Sequence, residues 1–224
     1  MSQHEAALLP EAIPIFPLTG VLLLPRGRLP LNIFEPRYLA MTQDALGGDR
    51  LIGMVQPSDP QNDNRGGGQT NPPVYPIGCA GRITAFSETD DGRYLITLTG
   101  VSRFRIREEL PLLSGYRRVA ADWEPFARDR EALSEPGFDR DRFARALKGY
   151  FVQRQISADW DAIEKAPGEH LLTSIAMLCP FAPNEKQALL EAADLEERAR
   201  LLVALIEMAT IKPTTTEEAG GTRH

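Results

Sequence analysis

Lysines, histidines, cysteines and serines carry most of the chemistry a chain of this kind can do, and their spacing here decides what is open to them. A phosphate cradle needs Gly-Lys-Ser/Thr, so that backbone amides hold the phosphate while the lysine neutralises it. The lysines are Lys148, Lys165, Lys186 and Lys212, and none follows a glycine. Gly66-Gly67-Gly68 runs into Gln69 and reads as a flexible loop. No Gly-x-Ser-x-Gly elbow is present, because Gly100-Val101-Ser102-Arg103 continues into Phe104. His4 and His224 stand near the two ends, which leaves His170 alone at a helix start. A single imidazole is too few for a zinc site or a histidine relay. Cys79 and Cys179 have no Cys-x-x-Cys spacing and are expected to be two buried free thiols. The expectation is a chain with no catalytic residue, no cofactor and no metal.

Three further groups are candidates for binding. Glu35, Arg37 and Tyr38 fall at a helix start beside apolar strands, where they would line a ligand cleft. Alternatively Glu35 complements the helix dipole and Tyr38 packs in the core. Arg103, Arg105, Arg107, Arg117 and Arg118 form either a basic stripe suited to RNA or an ordinary solvated strand face, diluted by Glu108 and Glu109. Cys79, close to Gly78 and Gly81, is either a reactive thiol or a small residue where strands approach closely.

The elements that would position these residues change character along the chain. Ile13–Leu18, Val21–Leu24 and Leu29–Phe34 are short apolar runs bounded by Pro and Gly, and each predicts a strand. Pro36 then opens a helix whose Tyr38, Met41, Thr42 and Ala45 share a face, with Gly47-Gly48 ending it. Leu51–Val55 returns to strand, and Pro57–Pro73 is a polar loop. Ile77–Phe86, Tyr94–Thr99, Val101–Arg107 and Tyr116–Trp123 complete the strands. Asp91-Gly92 is a hairpin cue, and Phe104 and Ile106 alternate with outward arginines.

Beyond Trp123 the pattern is helical. Phe143, Leu147, Tyr150 and Phe151 share one face, as do Leu171, Leu172, Ile175, Leu178 and Cys179. The last helix aligns Leu195, Ala199, Leu202, Val203 and Ile206. Asn184 with Gln187, and Asp194 with Glu197, have capping-box spacing. The expected class is α+β: a partly closed β-barrel with a short helix over 1–123, a linker over 124–138, a helical bundle over 139–211 and a frayed tail over 212–224.

Composition narrows the function classes. The 224 residues include 42% hydrophobic and 25% charged side chains, as in globular proteins, and a net charge of −6 disfavours phosphate backbones. Neither a signal peptide at Met1–Pro10 nor an apolar run of roughly eighteen residues is present, so no membrane partner is expected and the expected compartment is the cytoplasm.

The order of motifs resembles the N-terminal domain of Lon protease. The resemblance is carried by Ile15-Phe16-Pro17-Leu18-Thr19-Gly20-Val21-Leu22-Leu23-Leu24-Pro25 and by Leu29-Pro30-Leu31-Asn32-Ile33-Phe34-Glu35-Pro36-Arg37-Tyr38. It continues through Ile77–Ile83, Leu98–Phe104 and Glu185–Glu191, and runs from about Ile13 to Met208. The second segment looks most like the stand-alone bacterial proteins made of this domain alone. The resemblance implies a PUA-like pseudo-barrel joined to a helical bundle, which recognises protein substrates and performs no chemistry. The leading expectation is therefore a module that binds unfolded or partner protein segments, at an exposed barrel edge or in the groove between barrel and bundle. Phe34, Glu35, Arg37, Tyr38 and Arg82 are its expected binding residues. RNA binding and a small-molecule regulatory role are the alternatives, with nucleic acid the less expected partner.

Overall fold

The computed structural model describes residues 9–59, 72–131 and 137–211. Six strands form one sheet: β1 (Ala12–Pro17), β2 (Arg28–Ile33), β3 (Leu51–Val55), β4 (Ile77–Glu88), β5 (Tyr94–Leu113) and β6 (Tyr116–Asp122). Their order is β2-β5-β4-β3-β1-β6, and β5 also pairs with β6. Five strands thus close on themselves, and among the described strands β2 is joined to the ring only through β5. Closure is possible because β5 is 20 residues long. Its first part pairs β2 and β4, and its second part pairs β6. β1 and β3 run parallel, with helix α1 (Pro36–Gly47) in the connection between them.

Phe104 fills the inside of the ring with Ile13, Ile15, Val55, Ala80, Val119 and Ala121. The ring is narrow, so two facing positions carry no side chain. A Cβ on Gly53 would lie 2.8 Å from the Phe104 ring, and one on Gly78 would lie 2.7 Å from it. The outer face of the sheet packs against the helices. There Phe16, Ile52, Met54, Cys79, Ile83 and Leu98 join Phe143, Leu147, Leu172, Leu189, Leu202 and Ile206 in one continuous hydrophobic cluster.

The helical half comprises α2 (Arg140–Gln153), α3 (Trp160–Lys165), α4 (Gly168–Leu178), α5 (Pro183–Glu191) and α6 (Leu195–Ile211). Local sequence sets their starts. Asp139 accepts from Arg142 N at 2.8 Å and Asp159 from Ala162 N at 3.0 Å, so each acidic cap satisfies an orphan amide. Asp194 accepts from Glu197 N at 2.7 Å, the contact its spacing predicts, while the Glu197 carboxylate accepts from Ala193 N at 2.6 Å, one residue before the cap. Helix α1 has Pro36 at its first position and buries Tyr38, Met41, Thr42 and Ala45, the face that the spacing predicts.

Several expectations fail for identifiable reasons. Val21–Leu24 is not a strand: Leu22, Leu23 and Leu24 are buried, but the segment lies outside the sheet. The Asn184–Gln187 cap does not form, because Asn184 lies inside α5 and Gln187 is buried, donating to the Ile77 carbonyl at 3.1 Å. Within the stretch read as a linker, Glu124–Arg130 forms a 3-10 turn that packs on β5 and buries Phe126. The basic stripe is broken: Arg103 and Arg117 are buried and paired with Asp129 and Glu109. Leu178, expected in the core, is 79% exposed. Most of the Pro57–Pro73 loop and the tail after Ile211 lie outside the described residues.

Candidate functional site

The exposed Leu178 marks one wall of a groove of about 400 Å³. The opposite wall is the segment that leaves β1, turns at Gly20 and returns as β2. Gly20 takes a φ of 72°, a left-handed conformation that glycine adopts without strain. The turn is pinned on two sides. Its amide donates to Gln56 Oε1 at 3.2 Å, and its carbonyl accepts from Lys186 Nζ at 2.8 Å. Further on, Arg26 N donates to the Gly100 carbonyl and Gly100 N to the Gly27 carbonyl, both at 2.8 Å. A Cβ on Gly100 would stand 2.0 Å from the Leu24 carbonyl oxygen, so a side chain there is incompatible with this wall.

Helix α4 supplies His170, Thr173, Ser174, Met177 and Leu178. Its first turn is joined to the opposite wall by an ion pair between Arg26 and the buried Glu169. Arg26 holds a φ of 64°, in the region costly for a residue with a Cβ, and the pair with Glu169 helps hold it there. Val21, Leu29, Pro30, Met177 and Leu178 give the groove an apolar lining, Arg28 and Lys186 give it cationic points, and His170 adds an imidazole. Arg28 and His170 are exposed, and Lys186 is 8% exposed. Burial pulls the Lys186 ammonium below its ordinary pKa.

Along this groove runs the first half of β2. Only β5 pairs with β2 among the described strands, so its other edge has no partner strand among them, and Pro30 leaves that strand one amide donor short. Phe34, 61% exposed, follows the far end of β2.

The residues expected at the site fall into two places. Glu35 and Arg37 pair at 2.8 Å, and the Arg37 guanidinium lies 4.5 Å from the Tyr38 ring centroid. Tyr38 is buried against Phe16, with ring centroids 4.2 Å apart. The hollow beside Arg37 and Tyr38 offers about 10 Å³, room for about one water and not for a metabolite. Arg82 lies on β4 and donates to the Asp49 carbonyl at 2.9 Å, just past the other end of α1. Phe34, Glu35, Arg37 and Tyr38 are therefore neighbours at one end of α1, and Arg82 is apart from them. Sequence reasoning missed Arg26, Arg28, Met177 and Lys186. The signal was a lysine three and four residues before Leu189 and Leu190, on the core-facing register of α5.

Among the described residues no three His, Cys, Asp or Glu side chains come together as metal ligands. Both cysteines are free and buried, and burial raises each thiol above its ordinary pKa, Cys179 to about 11. No described helix is long and apolar enough to cross a membrane.

Known proteins share this fold. Residues 12–208 match the family model described as the ATP-dependent protease La (LON) substrate-binding domain. Lon protease 2 of Myxococcus xanthus is 28% identical over 203 residues, covering 88% of this chain and 24% of that protein. Lon protease 2 of Sorangium cellulosum is 29% identical with the same coverage. The chain thus spans about a quarter of the length of the curated relatives it matches. Two solved structures share the fold. The Lon N-terminal domain protein from Xanthomonas campestris has a TM-score of 0.58 at 21% identity, covering 86% of this chain and 97% of that one. The N-terminal domain of Mycobacterium avium complex Lon protease has a TM-score of 0.61 at 15% identity, covering 87% and 97%. With the match running through both the sheet and the helices, this chain belongs to the Lon substrate-binding domain family.

Proposed function

We propose that the chain is a non-catalytic binding module whose groove between β2 and α4 holds extended segments of unfolded or partner proteins. The observation that carries this reading is the pairing of two features in one place: a strand edge with no partner strand among the described residues, and an apolar wall with Leu178 79% exposed. An extended peptide can add its backbone to such an edge while alternate side chains enter the neighbouring groove. At about 400 Å³ the groove falls within the roughly 300–1,000 Å³ of typical ligand sites. Phe34 would extend the contact at the far end of β2. The Glu35–Arg37 pair and Tyr38 would fix the start of α1 beside it, with Arg82 bracing the turn after α1.

The test is fluorescence anisotropy of a labelled, permanently unfolded protein titrated with this chain at low and high salt. Saturable binding that survives high salt is expected, and Leu178→Gln should weaken it several-fold with no change in melting temperature, since the side chain makes few packing contacts. Absence of saturable binding, or binding indifferent to Leu178→Gln, would overturn the reading.

A further inference from the structure

We propose that this groove selects extended segments in which a carboxylate is flanked by apolar residues, with Lys186 as the group that receives the carboxylate. The proposal rests on the groove being the binding site, and adds the chemistry of what it accepts.

Three observations converge on it. The first is the state of Lys186. An ammonium has three donors. Among the described residues the Lys186 ammonium reaches one acceptor, the Gly20 carbonyl at 2.8 Å, although the residue is 8% exposed and lines the groove. It has no carboxylate partner among the described residues. Burying a charge without a counter-charge is costly, and the cost is relieved when an anion is brought to it.

The second is the distribution of charge. The chain as a whole carries 31 acidic against 25 basic side chains. The groove lining reverses this: it contains Arg26, Arg28 and Lys186, and no Asp or Glu. Arg26 is committed to Glu169, which stands behind the wall. Arg28 is exposed and has no ion-pair partner among the described residues, so Lys186 and Arg28 remain for an incoming anion. A local field opposite in sign to that of the molecule is what favours an acidic partner at one place over non-specific attraction everywhere.

The third is the flanking surface. Val21, Leu29, Pro30, Met177 and Leu178 surround the cationic point, with no Phe, Tyr or Trp in the lining. Successive phosphates of a single-stranded nucleic acid need a track of cations, and with Arg26 committed to Glu169 the lining offers Lys186 and Arg28. The ammonium of a largely buried lysine beside aliphatic side chains suits a single carboxylate with aliphatic neighbours. Burial already depresses the Lys186 pKa. A bound carboxylate would push it back up, because it favours the charged form.

Fluorescent peptides of one apolar sequence provide the test, in three versions: a central Glu with an amidated end, a central Gln with an amidated end, and a central Gln with a free terminal carboxylate. The Glu version is expected to bind about tenfold more tightly than the amidated Gln version at low salt, with the gap narrowing as salt rises. Lys186→Met should abolish the gap. Because that change also removes the tie to Gly20, Arg28→Gln, at an exposed position, is measured in parallel and should narrow the gap in a protein of unchanged melting temperature. Tight binding of the third version would assign the site to chain termini, and of the first alone to acidic side chains; either supports the proposal. Equal binding of all three overturns it while leaving the groove reading intact. So does failure of all three while the unfolded protein still binds, or equally tight competition by an unstructured RNA. If neither the peptides nor the unfolded protein bind, both readings fall.

Discussion

The Arg103 guanidinium is clasped by the Asp129 carboxylate in a two-pronged ion pair, Nη2 to Oδ1 at 2.9 Å and Nε to Oδ2 at 3.0 Å. The side chains are 5% and 9% exposed. Asp129 Oδ2 also accepts from the Arg103 backbone amide at 2.9 Å. The remaining Arg103 nitrogen, Nη1, donates to the Leu190 carbonyl at 3.0 Å and the Ala192 carbonyl at 2.6 Å. One planar donor set thus joins a barrel strand, the 3-10 turn after β6 and the end of α5, whose last carbonyls would otherwise lack partners. It helps hold the helical half, and with it Lys186, against the sheet.

Removing one side of this pair leaves the other charge buried alone. Arg103→Met or Asp129→Asn should each lower the free energy of unfolding by about 3–5 kcal/mol, read from urea denaturation. The double substitution Arg103→Met with Asp129→Leu should recover part of that loss, because it removes both charges together. Additive losses in the double variant would contradict the pairing.

The groove wall depends on a glycine at position 100. Gly100→Ala would place a methyl group 2.0 Å from the Leu24 carbonyl oxygen, a backbone atom that cannot rotate away. The expected cost is roughly 1–3 kcal/mol in thermal or urea unfolding. Displacement of the 20–28 segment should also weaken the capture of unfolded protein. A variant that binds and melts like the parent would show that the wall is not held there.

Alkaline pH should destabilise the fold. Burial raises Cys179 from 9.0 to about 11, and burial followed by its hydrogen bond to Asp44 raises Tyr116 from 10.0 to about 12. Cys79 is pushed up by burial as well. Each folded value lies above its unfolded one, so the stabilisation is complete below pH 9 and is lost as pH rises through 11 and then 12. A melting temperature that falls progressively above pH 9 is expected; one that is flat to pH 12 would contradict the burial of these groups.

The same burial protects the thiols. Cys79 is 0% and Cys179 is 4% exposed. An aromatic disulfide reagent at neutral pH should therefore leave both unmodified in the native protein and titrate both in denaturant. Fast native reaction of either would place it at the surface.

The reading of the sequence succeeded where periodicity and burial coincide. α1 is legible because Tyr38, Met41, Thr42 and Ala45 face one neighbour, and the start of α6 because Asp194 and Glu197 cap locally. Arg103 shows the limit. Phe104 does point into the ring and Arg103 away from it, as alternation predicts, but the outside of β5 at that point is covered by the 3-10 turn and α5. A period of two tells which side a residue is on and not what lies there. Val21–Leu24 fails for a related reason: consecutive leucines are enclosed from several sides, so burial no longer implies sheet pairing. Phe34, Arg37 and Tyr38 were legible as neighbours, whereas the groove joins residues as distant as Gly20 and Lys186, and only the folded chain brings them together.

The most direct test of the central claim is amide hydrogen exchange of this chain with and without saturating unfolded protein. The account predicts slower exchange over 28–34 and 168–178, the β2 edge and α4, with β6 and α2 unchanged. Protection confined to other elements, or none at all under conditions where binding is saturated, would contradict it.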